Sequence, residues 1–548
     1  MTRLIEGSAP DPAPHPALRD AQDLGEGGAR GGAEPGGQAG HRAKAARPST
    51  FRALRHRNYR LFFAGQMVSL VGSWMQNIAQ QWLIYRLTGS ATMLGTISLL
   101  GALPLLPMSL WGGSLADRVP KRTILVVTQS VMMIQAFVLA ILASTGTVAV
   151  WHVLLLSVFL AAAQAIDLPA RQAIIVELVE GKEDLTNAIG LNSAVFNGAR
   201  AVGPALAGIA VATTGEAGAF LLNGLSFVAV IGGLLLMRLP ANLPAAARPA
   251  PLRVPRVPFP TPDHSRHRPS FPHRPGGPAS GTPDRRDGAG QVRACPAGAA
   301  LLTLSRRTSA GKCARQRQED GAGPGVGSHL AEAARYVRGQ QGVMVLVSLV
   351  AVSAFLSMPY STLMPVFAEK VLADSARPLL EAVCRWAESS MGVTCQAPGA
   401  LTYGLLMGAT GLGAVVGALF VASLPDWARR GRWLTMGNLA FPALVILVAL
   451  SRSFPFSAAL LLGIGFAFVA QNALANTLIQ LTVPDELRGR VMSFYSLTFQ
   501  LSMRLGGMQA GLVGDAFGAP IAVGVGAAAC LAYGAYVALR FPRIRRMT

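Results

Sequence analysis

Twelve runs of roughly 18–25 mostly apolar residues, each able to cross a hydrocarbon core as a helix, constrain this chain more than any other feature. They fall at 60–84, 91–114, 123–145, 150–169, 187–213, 217–238, 342–366, 401–424, 433–451, 456–480, 490–514 and 519–540. A backbone in lipid must satisfy its own hydrogen bonds, so such a chain folds as an all-α bundle of spanning helices. Hydrophobic residues make up 51% of the 548 and charged residues only 14%, whereas soluble domains carry about a quarter charged. Mean hydropathy is +0.41 despite two polar stretches, 1–58 and about 240–340. A soluble enzyme, a secreted disulfide scaffold and a nucleic-acid-binding module are excluded.

The formal charge of +21, from 48 Lys+Arg against 27 Asp+Glu, does not mark a nucleic-acid surface. Between Arg238 and Arg338 there are 17 basic and 6 acidic residues, which supply +11 of the total. The rest sits in short runs beside apolar segments: Arg52, Arg55, Arg57 and Arg60; Arg118, Lys121 and Arg122; Arg429, Arg430 and Arg432; Arg488 and Arg490; Arg540, Arg543, Arg545 and Arg546. All of these fall on one side of a twelve-span layout. The positive-inside rule therefore predicts a multi-pass protein of the inner or plasma membrane with both termini cytoplasmic.

The expected organisation is a disordered tail over 1–58, a six-helix half over 59–239 and a disordered cytoplasmic linker over 240–330. A second six-helix half follows over 331–541, with an outward insertion at about 373–400, and a cytoplasmic tail over 542–548. A weak internal repeat relates Gln164–Gly208 to Gln471–Gly511. Each stretch runs from an amide-bearing span end through an acidic-Leu loop into a Gly-rich span holding an arginine, as expected of two pseudo-symmetric halves.

Between spans two and three stands Gly113-Ser-Leu-Ala-Asp117-Arg118-Val-Pro-Lys121-Arg122. It resembles motif A of the major facilitator superfamily, with Pro120 where the pattern usually has Gly. A degenerate counterpart, Asp426-Trp-Ala-Arg429-Arg430, follows span eight. The resemblance implies latches at Asp117 and Asp426 that close the cytoplasmic side when the protein faces outward. In span five, Gly198, Gly203, Pro204 and Gly208 resemble motif C of the antiporter branch, where small residues pack tightly and the proline bends the helix. Two longer stretches, Gln66 to Leu83 and Asp167-Leu-Pro-Ala-Arg171-Gln172, are similar to the enterobactin-exporter-like branch, the transmembrane secretion effectors. That resemblance implies the two-half major facilitator fold, a functional monomer and small-molecule export, without fixing the substrate; the leading expectation is proton-coupled export of a small amphipathic molecule (siderophore, metabolite or drug) by alternating access. An uptake permease and a membrane scaffold that transports nothing are the alternatives.

Gln66, Ser69, Ser73, Gln76 or Asn77, and Gln80 recur at helical spacing along span one. A polar stripe inside a membrane faces protein or water. Lining a substrate cavity is the preferred reading, and hydrogen bonding between helices is the other. Trp74, Trp82 and Tyr85 have the chemistry to stack on an aromatic substrate, although the last two read better as interfacial anchors. Arg200 and Arg504 fall near the middle of spans five and eleven, where a lone arginine needs an acceptor or a wet cavity. With Gln500, they join the cavity candidates and would favour an anionic or catechol-like substrate. The alternative is that each bonds helix carbonyls. Ser353, Ser357, Tyr360, Gln471, Asn472 and Asn476 are weaker candidates.

Asp167 is the one carboxylate placed within a span. It reads as an inner-gate ion pair with Arg171 or Arg118, or as a proton carrier. Pro104, Pro107, Pro359 and Pro365 are candidate kinks. Of five cysteines, Cys384 and Cys395 share the outward insertion and have the compartment for a disulfide. No Cys/His set has metal spacing and no G-x-x-x-x-G-K-[ST] occurs, so no cofactor or metal is expected. A proton gradient is the expected energy source.

Overall fold

The computed structural model describes residues 51–104, 107–108, 119–179, 181–238, 326–392, 394–425 and 429–547. Gly113, Asp117, Arg118 and Asp426 of the expected latches lie outside the described residues, as do the tail up to residue 50, the linker from 239 to 325, and Cys295 and Cys313. Among the described residues every regular element is helical. In chain order the helices are α1 (Arg57–Thr88), α2 (Ala91–Leu100), α3 (Lys121–Ser144), α4 (Val150–Leu178), α5 (Lys182–Leu236) and α6 (Val326–Gly339). Then come α7 (Gln341–Val371), α8 (Ala373–Met391), α9 (Pro398–Ala422), α10 (Arg430–Leu450), α11 (Phe454–Thr482), α12 (Asp485–Phe517) and α13 (Ala519–Arg540).

Eight of these described helices are long and apolar enough to cross a membrane. Helices α1 and α12, 32 and 33 residues long, stand outside that set because of their polar residues. Polarity is inverted relative to a water-soluble core. Ile141 is 61% exposed and Leu539 78%, whereas Gln129 and Gln471 are each 1% exposed. That distribution suits a lipid-facing exterior with polar groups paired inside.

Helices α1, α3, α4 and α5 pack on one another, as do α9, α10, α11, α12 and α13. Each group has its own apolar core, around Tyr59, Met132 and Phe227 in the first bundle and Leu346, Leu474 and Val491 in the second. A third core, holding Trp82, Phe220, Tyr403 and Phe441, is shared by both. The bundles meet along α5–α9 and α2–α12. Bare backbone permits this: a Cβ at Gly404 would lie 2.5 Å from the Pro204 carbonyl oxygen, and one at Gly95 2.6 Å from that of Gly507.

Helix α5 breaks at Gly215, whose φ of 71° favours glycine, between the expected spans 187–213 and 217–238, and Pro204 lies within helical geometry. Several other expectations change. Helix α2 ends at Leu100 and residues 101–104 form turns before Pro107. Helix α7 contains two wider π-type turns, Ser353–Ser357 and Phe367–Val371. The insertion is not a loop: residues 373–391 form α8, whose Ala376, Leu380 and Ala387 are buried against the second bundle. Residues 51–58 belong to the fold rather than to a tail. Asp184, on the first turn of α5, receives Arg52 Nε at 2.6 Å, Arg55 Nη2 at 2.5 Å and His56 Nε2 at 2.8 Å.

A polar central cavity as the candidate site

The bundles enclose a cavity of about 330 Å³. Helix α1 contributes Ser73, Trp74, Asn77, Gln80 and Gln81, successive positions of the polar stripe turned to one face by helical periodicity. Helix α5 supplies Arg200 and Pro204, and helix α12 supplies Met503 and Arg504, with Tyr360 and Thr362 facing them from α7. Two guanidinium groups thus line the cavity, and among the described lining residues there is no carboxylate.

The arginines are held differently. Arg200 Cζ lies 5.9 Å from the ring centroids of both Trp74 in the first bundle and Phe468 in the second, a bridging cation–π arrangement. Arg504 Nη1 donates to the carbonyl of Ser98 on α2 at 3.0 Å, while its buried Nε has no described partner. Both ideas raised by the sequence therefore hold at once for Arg504: it bonds a helix carbonyl and it faces the cavity.

Other residues of the predicted cavity go elsewhere. Gln76 Nε2 donates to Gln135 Oε1 at 2.8 Å, and Asn223 Nδ2 donates to Gln76 Oε1, so Gln76 ties α1 to α3 and α5 instead of lining the wall. Its one-residue neighbour Asn77 points inward. Gln471 plays a similar part in the second bundle, donating to Ser353 and Asn438 at 3.1 Å each. Gln500 is half-buried and is not on the cavity wall. Gln80 does both, lining the cavity and donating to Ser157 at 2.6 Å. Trp82 and Tyr85, read as interfacial anchors, are 4% and 5% exposed and packed within the protein. Of the small residues in span five, Gly203 and Gly208 meet Trp74 and the α9 backbone closely, but open space surrounds Gly198.

Asp167 is 1% exposed and makes an ion pair with Arg171 one turn along α4. It also accepts from Thr128 Oγ1 at 2.8 Å and Gln129 Nε2 at 2.9 Å. It does not line the cavity. Lys121, in the described part of the motif between spans two and three, pairs with Glu177, and Arg122 donates to the Leu235 carbonyl at 2.8 Å.

The two bundles are held together at one end. The end of the bundle distal to the termini is joined by three contacts that the sequence did not announce. Asp515 receives the Ala91 and Thr92 amides at 2.7 and 2.9 Å and the Ser90 hydroxyl at 2.5 Å. Tyr403 donates to Gln81 Oε1 at 3.1 Å, and the Gln396 amide donates to the Ala212 carbonyl at 2.7 Å. The Cys384–Cys395 disulfide, with Cα atoms 5.7 Å apart, lies at the closed end.

Two packed helical groups around a polar cavity, shut at one end, define the major facilitator fold. Solved structures of similar fold include the nucleoside transporter NupG (TM-score 0.55, 11% identity, covering 90% of this chain and 100% of that one). A POT family transporter in complex with 5-aminolevulinic acid is similar at a TM-score of 0.57 and 10% identity, with the same coverage. Residues 48–249 and 360–547 match the family model of the transmembrane secretion effectors, and the chain belongs to that family. Among curated proteins, the staphyloferrin A transporter of Staphylococcus aureus is 28% identical over 196 residues, 35% of this chain and 49% of that protein. Macrolide efflux protein A of Streptococcus pyogenes is 30% identical over 159 residues, 28% of this chain and 39% of that one. The matched part thus spans about half the length of these relatives or less.

Proposed function

We propose that this protein is a proton-coupled secondary transporter that exports a small amphipathic molecule carrying negative charge. The observation that carries this reading is the central cavity, where Arg200 and Arg504 face Trp74 and Tyr360 with no described carboxylate between them. Such a lining offers two cations and aromatic faces to one ligand. The relatives named for staphyloferrin A and macrolide efflux support small-molecule transport, and the second supports the outward direction. With the termini in the cytoplasm, the distal closure is the external one. Export then requires α5 to part from α9 and α2 from α12 while the opposite ends come together. The protein would act as a monomer, with the bilayer as its setting and Asp167 either carrying the proton or guarding the inner gate through Arg171.

Proton release from everted membrane vesicles, followed as candidate carboxylate-bearing siderophores and drugs are added, tests this. Substrate-driven proton movement that is lost in Asp167→Asn is expected. Movement that persists in the variant assigns Asp167 to the gate, and no movement with any substrate overturns proton-coupled export.

A further inference from the structure

The closed end carries a device that the cavity does not explain. Helix α8 is fixed to the second bundle twice: its Ala376, Leu380 and Ala387 are buried, and Ser375 Oγ accepts the amide of Phe454 at the start of α11 at 2.7 Å. From α8, Cys384 reaches Cys395, eleven residues on, through the disulfide. The next residue, Gln396, donates its amide to Ala212 on α5 of the first bundle at 2.7 Å. Its side chain also closes on the break in α5, since a Cβ at Gly215 would lie 3.2 Å from Gln396 Oε1. A covalent line therefore runs from the second bundle through α8 and the disulfide to a segment bonded to the first.

Beneath that line lies a second cavity of about 330 Å³, lined by Cys384, Cys395, Glu369, Arg377, Glu381 and Gly399. The Cys395 end of the segment borders this cavity, whereas Ala397 packs on the shared core and leads directly into α9 at Pro398. The disulfide therefore fixes the Cys395 end and α9 fixes the other. Opening this end separates α5 from α9, and the Gln396–Ala212 bond must then break.

We propose that residues 394–397 form a disulfide-held strap across the distal closure, and that the Cys384–Cys395 bond, by presenting Gln396 to Ala212, stabilises the state in which this end is shut. The strap makes that closure responsive to thiol chemistry in the compartment it faces. Its consequence for transport rests on the alternating-access reading above; its existence does not.

Reduction supplies a test on the unmutated protein. A trialkylphosphine gives two electrons to the disulfide and leaves as the phosphine oxide with an oxygen from water, while two protons end on the sulfurs of Cys384 and Cys395. Hydrogen–deuterium exchange in the purified full chain should then show the peptide containing Gln396 losing protection, its amide exchanging about tenfold faster than in the bridged protein. Unchanged protection after complete reduction would overturn the strap. A second measurement reads the closure itself. Thr362→Cys places a thiol in the central cavity, and its labelling by a membrane-impermeant maleimide from the distal side is compared with and without Cys384→Ser/Cys395→Ser, against a chain keeping Thr362. Labelling is expected to rise about fivefold when the bridge is removed. Equal labelling with a loosened Gln396 overturns the strap's hold on the closure. Neither readout needs a substrate or proton movement, so failure of the strap and failure of the transport assignment are told apart.

Discussion

Arg504 donates from Nη1 to the carbonyl of Ser98 at 3.0 Å, so one guanidinium spans the two bundles and still lines the cavity. A bond to a carbonyl orients the group without neutralising it, and its buried Nε is left to find another acceptor. Charge-assisted hydrogen bonds contribute about 2 kcal/mol, which is about thirtyfold in affinity. Arg504→Ala is therefore expected to weaken binding of an anionic substrate by that factor. Arg504→Lys should recover part of it, because lysine keeps the charge and loses the planar fork. Equilibrium binding of the same substrate to the purified variants checks both.

The Asp167–Arg171 pair predicts a stability pattern as well as a coupling phenotype. Asp167 is buried with two neutral donors, Thr128 and Gln129, whereas Arg171 is the partially exposed member. Removing Arg171 leaves a buried carboxylate unpaired, at a cost of about 3 kcal/mol or more. Asp167→Asn keeps an acceptor for Thr128 and strands only the more exposed arginine. Thermal unfolding in detergent should rank Arg171→Ala well below Asp167→Asn. The double variant Asp167→Asn/Arg171→Ala should stand above Arg171→Ala alone.

Which of these features were legible depended on whether their partners were local. The pairing of Asp167 with Arg171 follows from a four-residue spacing on one helix, and the inward face of Asn77 and Gln80 follows from period 3.6. The choice between Gln76 and Asn77 does not: both a cavity wall and a buried helix seam accept an amide, and only the positions of Gln135 and Asn223 decide it. Trp82 and Tyr85 carry the aromatic signature of a membrane interface, yet both are buried within the protein, with the Trp82 ring beside Gly399 of α9 from the other bundle. The amphipathic pattern of α8 was present in residues 373–391 but was masked by their charge. Asp515 had no local signal at all, because the amides it accepts lie more than 420 residues away.

Close approach of α5 and α9 gives a steric prediction. A Cβ at Gly404 would stand 2.5 Å from the Pro204 carbonyl oxygen and 2.6 Å from Gly208 Cα, backbone atoms that cannot swing aside. Gly404→Leu must push the helices apart or strain them, at about 2 kcal/mol. The variant is expected to unfold at lower temperature and to admit distal maleimide to a Thr362→Cys reporter faster than the parent does. Gly198→Ala, where a Cβ meets nothing, serves as the comparison and should leave both readouts unchanged.

Asp515 makes the corresponding polar prediction for α2 and α12. The first amides of α2 have no partners within their own helix, and the Asp515 carboxylate accepts two of them along with the Ser90 hydroxyl. A negative group at that end also meets the positive end of the helix dipole. The cap comes from the opposite bundle, so its contribution exists only while the distal end is closed. Loss of a capping oxygen costs about 1 kcal/mol, which shifts a two-state equilibrium about fivefold toward the open form. Asp515→Ala should therefore raise distal labelling of the Thr362→Cys reporter by that factor. Asp515→Asn, which keeps one acceptor oxygen and loses the charge, should fall between the two. If Asp515→Ala lowers the unfolding temperature without changing labelling, the carboxylate supports the fold of α2 in both states and is not part of the closure.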